Sequence, residues 1–369
     1  MIYAINGIYG ESMKQISIAP QLRFRHDGND LPLDKVLSLL AEVQAHGNLQ
    51  AASQVLGQSY RGAWGHVKEV EALMGAPLLT MARGRGAVLT PLAQRLLWGQ
   101  KRLQARLGPL LETMASELQT ELDDLLLQDS DQMRLFASHG LAIAALVDFA
   151  GRAGLPIEVS YRGSIEAIAA LAKHECEVAS FHVPIGALAA PVLDHYGPLL
   201  KGKSYRVADV ASRRLGLLVA RGNPLGIHTL ADLPRTGARF ANRERGSGTR
   251  IIFDLLLARE GIDPAAVAGA ENIEFTHAAV AAYIASGRAD AGLAIEAAAS
   301  QFGLDFLPIL TERYCLMFPE TGSESAHLRA LLEILQSDAY RQAVHAIPGY
   351  SEAATGSIAP LSEAFPSLG

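Results

Sequence analysis

Residues 33–64 read LDKVLSLLAEVQAHGNLQAASQVLGQSYRGAW, and the spacing of their apolar side chains decides the N-terminal fold. Leu33, Val36, Leu37, Leu40 and Val43 recur at three- and four-residue steps, which predicts a helix with one apolar face, ended by His46-Gly47-Asn48. Gln50–Leu56 predicts a short second helix and Gly57-Gln58 a turn. Ser59 is placed to cap a third helix running to about Met74. Beyond it, Pro77-Leu78-Leu79, Arg83-Gly84-Arg85-Gly86 and Ala87-Val88-Leu89-Thr90 predict strand, basic turn, strand. This order is that of a winged helix-turn-helix over 32–90, which sets its third helix for a DNA major groove and a basic hairpin tip beside the backbone. The candidate DNA-binding residues are Ser59, Tyr60 and Arg61 in the first turn of that helix, Lys68 further along it, and Arg83 and Arg85 at the wing tip. Trp64 reads two ways, as packing against the first helix or as part of the DNA-facing surface.

The charge distribution agrees. From Pro32 to Leu107 nine Lys and Arg stand against four acids, in a chain whose formal net charge is −6. A basic module on an acidic body suits one part that touches phosphates and another that stays off them. Cys176 and Cys315 are the only cysteines and form no CxxC. They speak against a disulfide framework or a cysteine-built metal site and suit a reducing compartment. Met1–Asn6 has neither a positive nor an apolar signal region, and no uncharged apolar run approaches the roughly 20 residues of a membrane helix. The expectation is a cytoplasmic protein with no membrane partner.

Residues 1–31 read as a leader in which Gln21–Arg25 alternates like a short strand. From Pro91 a stripe of Leu92, Leu96, Leu103, Leu107, Leu111, Met114, Leu118, Leu122 and Leu125 predicts amphipathic helix across a 91–130 linker. Gly108-Pro109 is expected to break it into Pro91–Leu107 and Leu110–Leu127, because proline lacks a donor and clashes with the preceding turn. The stripe outruns any small domain, so a partner helix is its natural cover and a homodimer or homotetramer is expected.

From Gln132 short strands alternate with helices, the mark of an α/β domain. Strands are predicted at Met133–Ser138, Ile157–Tyr161, Val178–Phe181 and Leu215–Ala220, then at Arg239–Ala241, Ile273–Phe275, Ala291–Ala294, Asp305–Pro308 and Tyr314–Phe318. A lobe, a crossing strand, a second lobe and a strand back describe a two-lobed clamp over 131–350, its cleft at the carboxyl ends of the strands, with a 351–369 tail.

The sharpest motif of the clamp is Asn242-Arg243-Glu244-Arg245-Gly246-Ser247-Gly248-Thr249-Arg250, between a strand and a helix. Its glycines allow close approach, its Ser and Thr offer hydroxyls and N–H groups at a helix N-terminus, and its arginines add positive potential. Ser138-His139-Gly140, Arg162-Gly163-Ser164, His182 and Thr276-His277 occupy comparable turns. Together Ser138, His139, Arg162, Ser164, His182, Asn242, Arg243, Arg245, Ser247, Gly248, Thr249, Thr276 and His277 form the candidate effector site, suited to a small oxyanion. The same Ser and Thr also serve simply as helix caps. Catalysis finds no support: there is no HxH, HExxH, Walker A or GxSxG sequence, and neither a catalytic residue, a metal site nor a cofactor is expected. An enzyme on this fold needs an acid/base pair, for which Glu296 with His277 or His182 is the one conceivable set.

Ser59-Tyr60-Arg61-Gly62-Ala63-Trp64 and Gly84-Arg85-Gly86-Ala87-Val88-Leu89-Thr90-Pro91 resemble the N-terminal domain of the molybdate-responsive ModE regulators, close relatives of LysR-type modules, over roughly 20–125. After residue 130 nothing resembles the small β-barrel molybdate domains that ModE carries. Asn242–Arg250, Thr276–Ala282, Ser286–Gly292 and Leu304–Pro308 instead resemble the periplasmic-binding-protein-like domain grouped with molybdate receptors, over about 132–345. The resemblance implies a type 2 clamp, DNA-binding regulation, and molybdate or tungstate as effector with Ser138, Ser164, Ser247 and Thr249 as ligands. LysR-type clamps take many small anions and acids, so an organic acid such as formate is the second expectation. A solute-binding receptor for oxyanion transport is the third.

Overall fold

A computed structural model describes residues 16–82, 86–127, 132–200 and 204–368. The chain divides into two compact units at Gly108/Pro109.

The first unit opens with a hairpin, β1 (Arg23–His26) paired antiparallel with β2 (Asn29–Pro32), inside the expected leader. Three helices follow: α1 (Asp34–His46), α2 (Leu49–Val55) and α3 (Tyr60–Met74). Gly47 ends α1 in the left-handed region, and Asn48 caps α2 by accepting the Ala51 N–H at 2.7 Å. The predicted apolar face is the core: Leu37, Leu40 and Val43 of α1 are buried with Val67 and Val70 of α3 and Leu78. The wing is β3 (Leu79–Ala82) antiparallel to β4 (Gly86–Leu89), and its tip, with Arg83 and Arg85, lies outside the described residues.

The helix α4 runs unbroken from Pro91 to Leu127, which corrects the expected break at Gly108-Pro109. A proline disfavours the helical region for its predecessor through a clash with that residue's Cβ. Gly108 has no Cβ, and none would meet an obstacle within 4 Å there. The helix therefore tolerates the lost donor.

The second unit is one sheet with helices on both sides. It runs β5 (Met133–Ala137), α5 (Leu141–Arg152), β6 (Ile157–Tyr161), α6 (Ser164–Ala172), β7 (Val178–Pro184), α7 (Ala189–Leu193), α8 (Gly197–Leu200) and β8 (Tyr205–Val219). Next come α9 (Asp232–Thr236), β9 (Phe240–Arg243), α10 (Gly248–Arg259), β10 (Ile273–Glu274), α11 (His277–Ala285), β11 (Ala291–Ile295), α12 (Glu296–Phe302) and β12 (Asp305–Pro319). Helices α13 (Ala326–Gln336) and α14 (Asp338–His345) precede β13 (Tyr350–Ser351), β14 (Ile358–Pro360) and α15 (Leu361–Ala364).

The strand order β10-β9-β11-β8-β12-β7-β5-β6 explains the two lobes. β6, β5 and β7 are parallel in one, β10, β9 and β11 in the other, and the antiparallel pair β8–β12 belongs to both. The strands predicted at Leu215–Ala220, Asp305–Pro308 and Tyr314–Phe318 are thus parts of two 15-residue strands that cross the whole unit. Near the C-terminus both β13 and β14 pair with β8.

Candidate functional site

In the first unit, Ser59 Oγ accepts the Gly62 N–H at 3.1 Å and closes the start of α3. Tyr60, Arg61 and Lys68 are exposed on that helix, whereas Trp64 is half-buried against the core. The Lys68 ammonium lies 4.6 Å over the Trp64 ring and 2.6 Å from Glu71 Oε2. Glu71, one of the four acids of the basic window, has a role that its sequence context does not announce. Its other oxygen accepts the Leu78 and Leu79 N–H groups at 2.7 and 3.2 Å, tying the wing to the recognition helix. Burial works against its charge, but Lys68 and the two amides hold its carboxyl below the usual range.

In the second unit four helix N-termini meet one buried polar cluster. The core of the cluster is Arg213 on β8, which stands opposite Glu312 on β12; its Nε donates to Glu312 Oε1 at 2.6 Å, with side chains 3% and 1% exposed. Arg213 Nη2 lies 3.4 Å from His277 Nε2 at the start of α11, and a Cβ on Gly140, the N-cap of α5, would sit 3.7 Å from Arg213 Nη1. His182 stacks on Tyr314 with ring centroids 4.0 Å apart, and its Nδ1 lies 3.4 Å from Ser164 Oγ at the start of α6. A Cβ on Gly163, the N-cap of α6, would be 3.7 Å from the Gly246 carbonyl just before α10, so the lobes meet here. Tyr314 OH donates to the Ser138 carbonyl at 2.8 Å, bracing the turn before α5. Each N-terminus adds positive potential and each is an anion-binding element.

The remaining candidate residues divide by engagement. Ser247 Oγ accepts the Arg250 N–H and donates to the Glu244 carbonyl, and Thr276 Oγ1 accepts the Ala279 N–H at 2.9 Å, so both act as caps. Asn242 is turned inward onto the Ala270 carbonyl and the Arg243 N–H. Arg243 donates to the Glu274 and Phe275 carbonyls; burial lowers its pKa to about 10. Ser138 Oγ donates to the Arg162 carbonyl, His139 lies 3.4 Å from Glu112, Thr249 is buried, Gly248 is partly so, and Arg162 and Arg245 are exposed. Glu296 is held by Arg214 at 2.7 Å. Arg213 and Arg214, adjacent on a strand, face opposite sides, so the sheet parts Glu296 from His277.

Among the described residues, Arg213 Nη1, His182 Nε2, His277 Nδ1 and Glu312 Oε2 are buried without a partner. Arg213, Glu312 and Tyr314 escaped the sequence reading because they stand on strands and not at turns. The available signal was Arg213-Arg214 inside the mostly apolar run Val210–Val219.

The two histidines are uncharged. Burial first, then the neighbouring arginines, push both pKa values well below the ordinary imidazole range. The unfolded chain therefore takes up protons below about pH 6.5 that the folded one refuses, and stability falls as pH drops. We expect stability to fall from pH 6 to pH 5, as the unfolded chain protonates these histidines and the folded one does not. Urea midpoints measured across that range should slope less steeply for His182→Gln than for the wild type.

Residues 147–336 match the PBP superfamily domain. The chain belongs to the PBP superfamily. Residues 35–94 match the bacterial regulatory helix-turn-helix of the lysR family. YvgK of Bacillus subtilis is 33% identical over 201 residues, 54% of this chain and 64% of its own. The molybdenum-pterin-binding protein MopB of Rhodobacter capsulatus is 32% identical over 94 residues, 24% of this chain and 35% of its own. The chain thus spans less than two thirds of either relative. Among solved structures, an H2O2-bound OxyR mutant of Corynebacterium glutamicum aligns with TM-score 0.42 and 13% identity, covering 85% of this chain and 94% of that one. No described helix is long and apolar enough to cross a membrane.

Proposed function

We propose that this chain is a cytoplasmic DNA-binding transcriptional regulator whose PBP-like domain closes on a small oxyanion, molybdate or tungstate. The observation that carries the reading is the convergence of four helix N-termini on a buried Arg–His cluster with unpartnered nitrogens. Such a place favours a compact negative charge over a sugar or an apolar ligand. The kinship with MopB, named for a molybdenum-pterin, supports the choice of metal. Arg61 and Tyr60, exposed at the start of α3, are the groups for the major groove. The exposed row Leu107, Leu110, Met114, Leu118 and Leu122 on α4 serves a second copy of the chain, giving the paired half-sites a helix-turn-helix reads.

The test is a calorimetric titration of the purified protein with molybdate and tungstate, against sulfate and formate. Sub-micromolar molybdate binding with weak sulfate binding is expected; heat with formate alone moves the effector to the organic acids. For DNA, we expect Arg61→Ala to weaken operator affinity about tenfold, the loss of one base or phosphate contact, in gel-shift titrations at fixed salt. Unchanged affinity removes Arg61 from the interface.

A further inference from the structure

We propose that Arg213, on the strand shared by both lobes, is the anion-holding guanidinium of the cleft, and that it fixes His277 as a neutral Nδ1–H donor beside it. This rests on reading the cleft as an oxyanion site and assigns the groups that hold the ligand. The serine and threonine caps are engaged within their own turns: Ser247 donates to the Glu244 carbonyl, and Thr276 accepts from Ala279. The unpartnered nitrogens belong to other residues.

The chemistry follows from what a guanidinium is. It has five N–H donors and no acceptor. The Arg213 Nη2 contact with His277 Nε2, at 3.4 Å, therefore makes Nε2 the acceptor and leaves the ring proton on Nδ1. Arg213 directs Nε and Nη2 to Glu312, while Nη1 is buried without a partner among the described residues. His277 Nδ1 and His182 Nε2 are in the same condition. All three side chains are at least nine-tenths buried: Arg213 is 3%, His182 5% and His277 8% exposed. Buried donors without acceptors are rare in folded proteins, and an oxyanion supplies the missing acceptors. The ligand class is a compact oxyanion with unprotonated oxygens toward Arg213 and His277. A tetrahedral metal oxyanion and a small carboxylate share that chemistry.

Two substitutions separate the two ring nitrogens of His277. His277→Asn puts an amide N–H where Nδ1 stands, and His277→Gln puts its amide where Nε2 stands. The full-length protein and both variants are titrated calorimetrically with molybdate and with formate at pH 7.5. Whichever ligand the wild type binds, His277→Asn should retain its affinity within about threefold, and His277→Gln should lose about tenfold or more, the scale of one charge-assisted hydrogen bond. In parallel, ¹⁵N-histidine spectra of the ligand-free protein should show His277 protonated at Nδ1. Equal affinity for both variants and the wild type, or a ring protonated at Nε2, overturns the assignment while leaving the oxyanion reading intact. A wild type that binds neither ligand overturns the oxyanion reading and this assignment with it.

Discussion

Glu312→Ala lowers the stability of the effector domain by about 3–5 kcal/mol, a large part of what a domain has. The carboxylate is 1% exposed and holds a guanidinium that is itself 3% exposed, at 2.6 Å. Burial opposes the charge on Arg213, and the Glu312 carboxylate more than offsets it, so the arginine stays charged. Removing the carboxylate leaves that charge buried and uncompensated; the methyl group in its place contributes nothing. Replacing both partners by apolar groups of similar volume, Arg213→Met with Glu312→Leu, removes two desolvation costs together, and such exchanges are neutral or stabilising. The pair therefore separates stability from recognition. Thermal melts should show the single variant unfolding early and the double variant near the wild type. Titrated with molybdate, the double variant should give no heat, because the guanidinium that holds the anion is gone. A single variant as stable as wild type sinks the argument, since the ion pair then carries no structural weight.

That pair also marks where the sequence stopped being readable. The helix-turn-helix was legible because its signals are local: a 3.6-residue apolar period, Gly47 in a left-handed stop, Asn48 and Ser59 as caps. The lobes were legible because helices and short strands alternate. What lay outside was the joining of distant segments. Nothing near residue 213 announces residue 312; their pairing depends on the register of two long antiparallel strands. The predicted Leu215–Ala220 strand caught only the last third of β8, since Arg213-Arg214 interrupts its apolar run. The earlier part is mostly buried nonetheless, between β12 on one side and the C-terminal strands β13 and β14 on the other. In the Gly-rich turn the sequence placed Ser247 and Thr249 at a helix start, and the Ser247 hydroxyl caps that helix, accepting the Arg250 N–H and donating to the Glu244 carbonyl. Gly108-Pro109 did not break the helix because a glycine before proline removes one of the clashes that end helices there.

Gly216→Ala is the second large effect. Gly216 sits on β8 between β11 and β12, opposite Ala294 on one side and Pro308 on the other. A Cβ there would lie 2.1 Å from the Leu307 carbonyl oxygen and 2.9 Å from the Phe306 ring. The carbonyl is part of the sheet backbone and cannot rotate away as a side chain would. The shift between Pro308 and Leu310, where β12 bulges against β8, lies next to this contact. Relief requires the two crossing strands to part where they connect the lobes. The cost of overpacking a core, about 1–3 kcal/mol and occasionally more, should be at the upper end here, lowering the melting temperature by roughly 2–4 °C for each kcal/mol. Calorimetric melts resolve the outcome, because only the transition of the effector domain should move. Gly99→Ala, on α4 where a Cβ meets nothing within 4 Å, should by contrast stabilise by up to about 1 kcal/mol through helix propensity. If Gly216→Ala melts with the wild type, the strands have slack at their crossing and the packing read from the two strands does not hold.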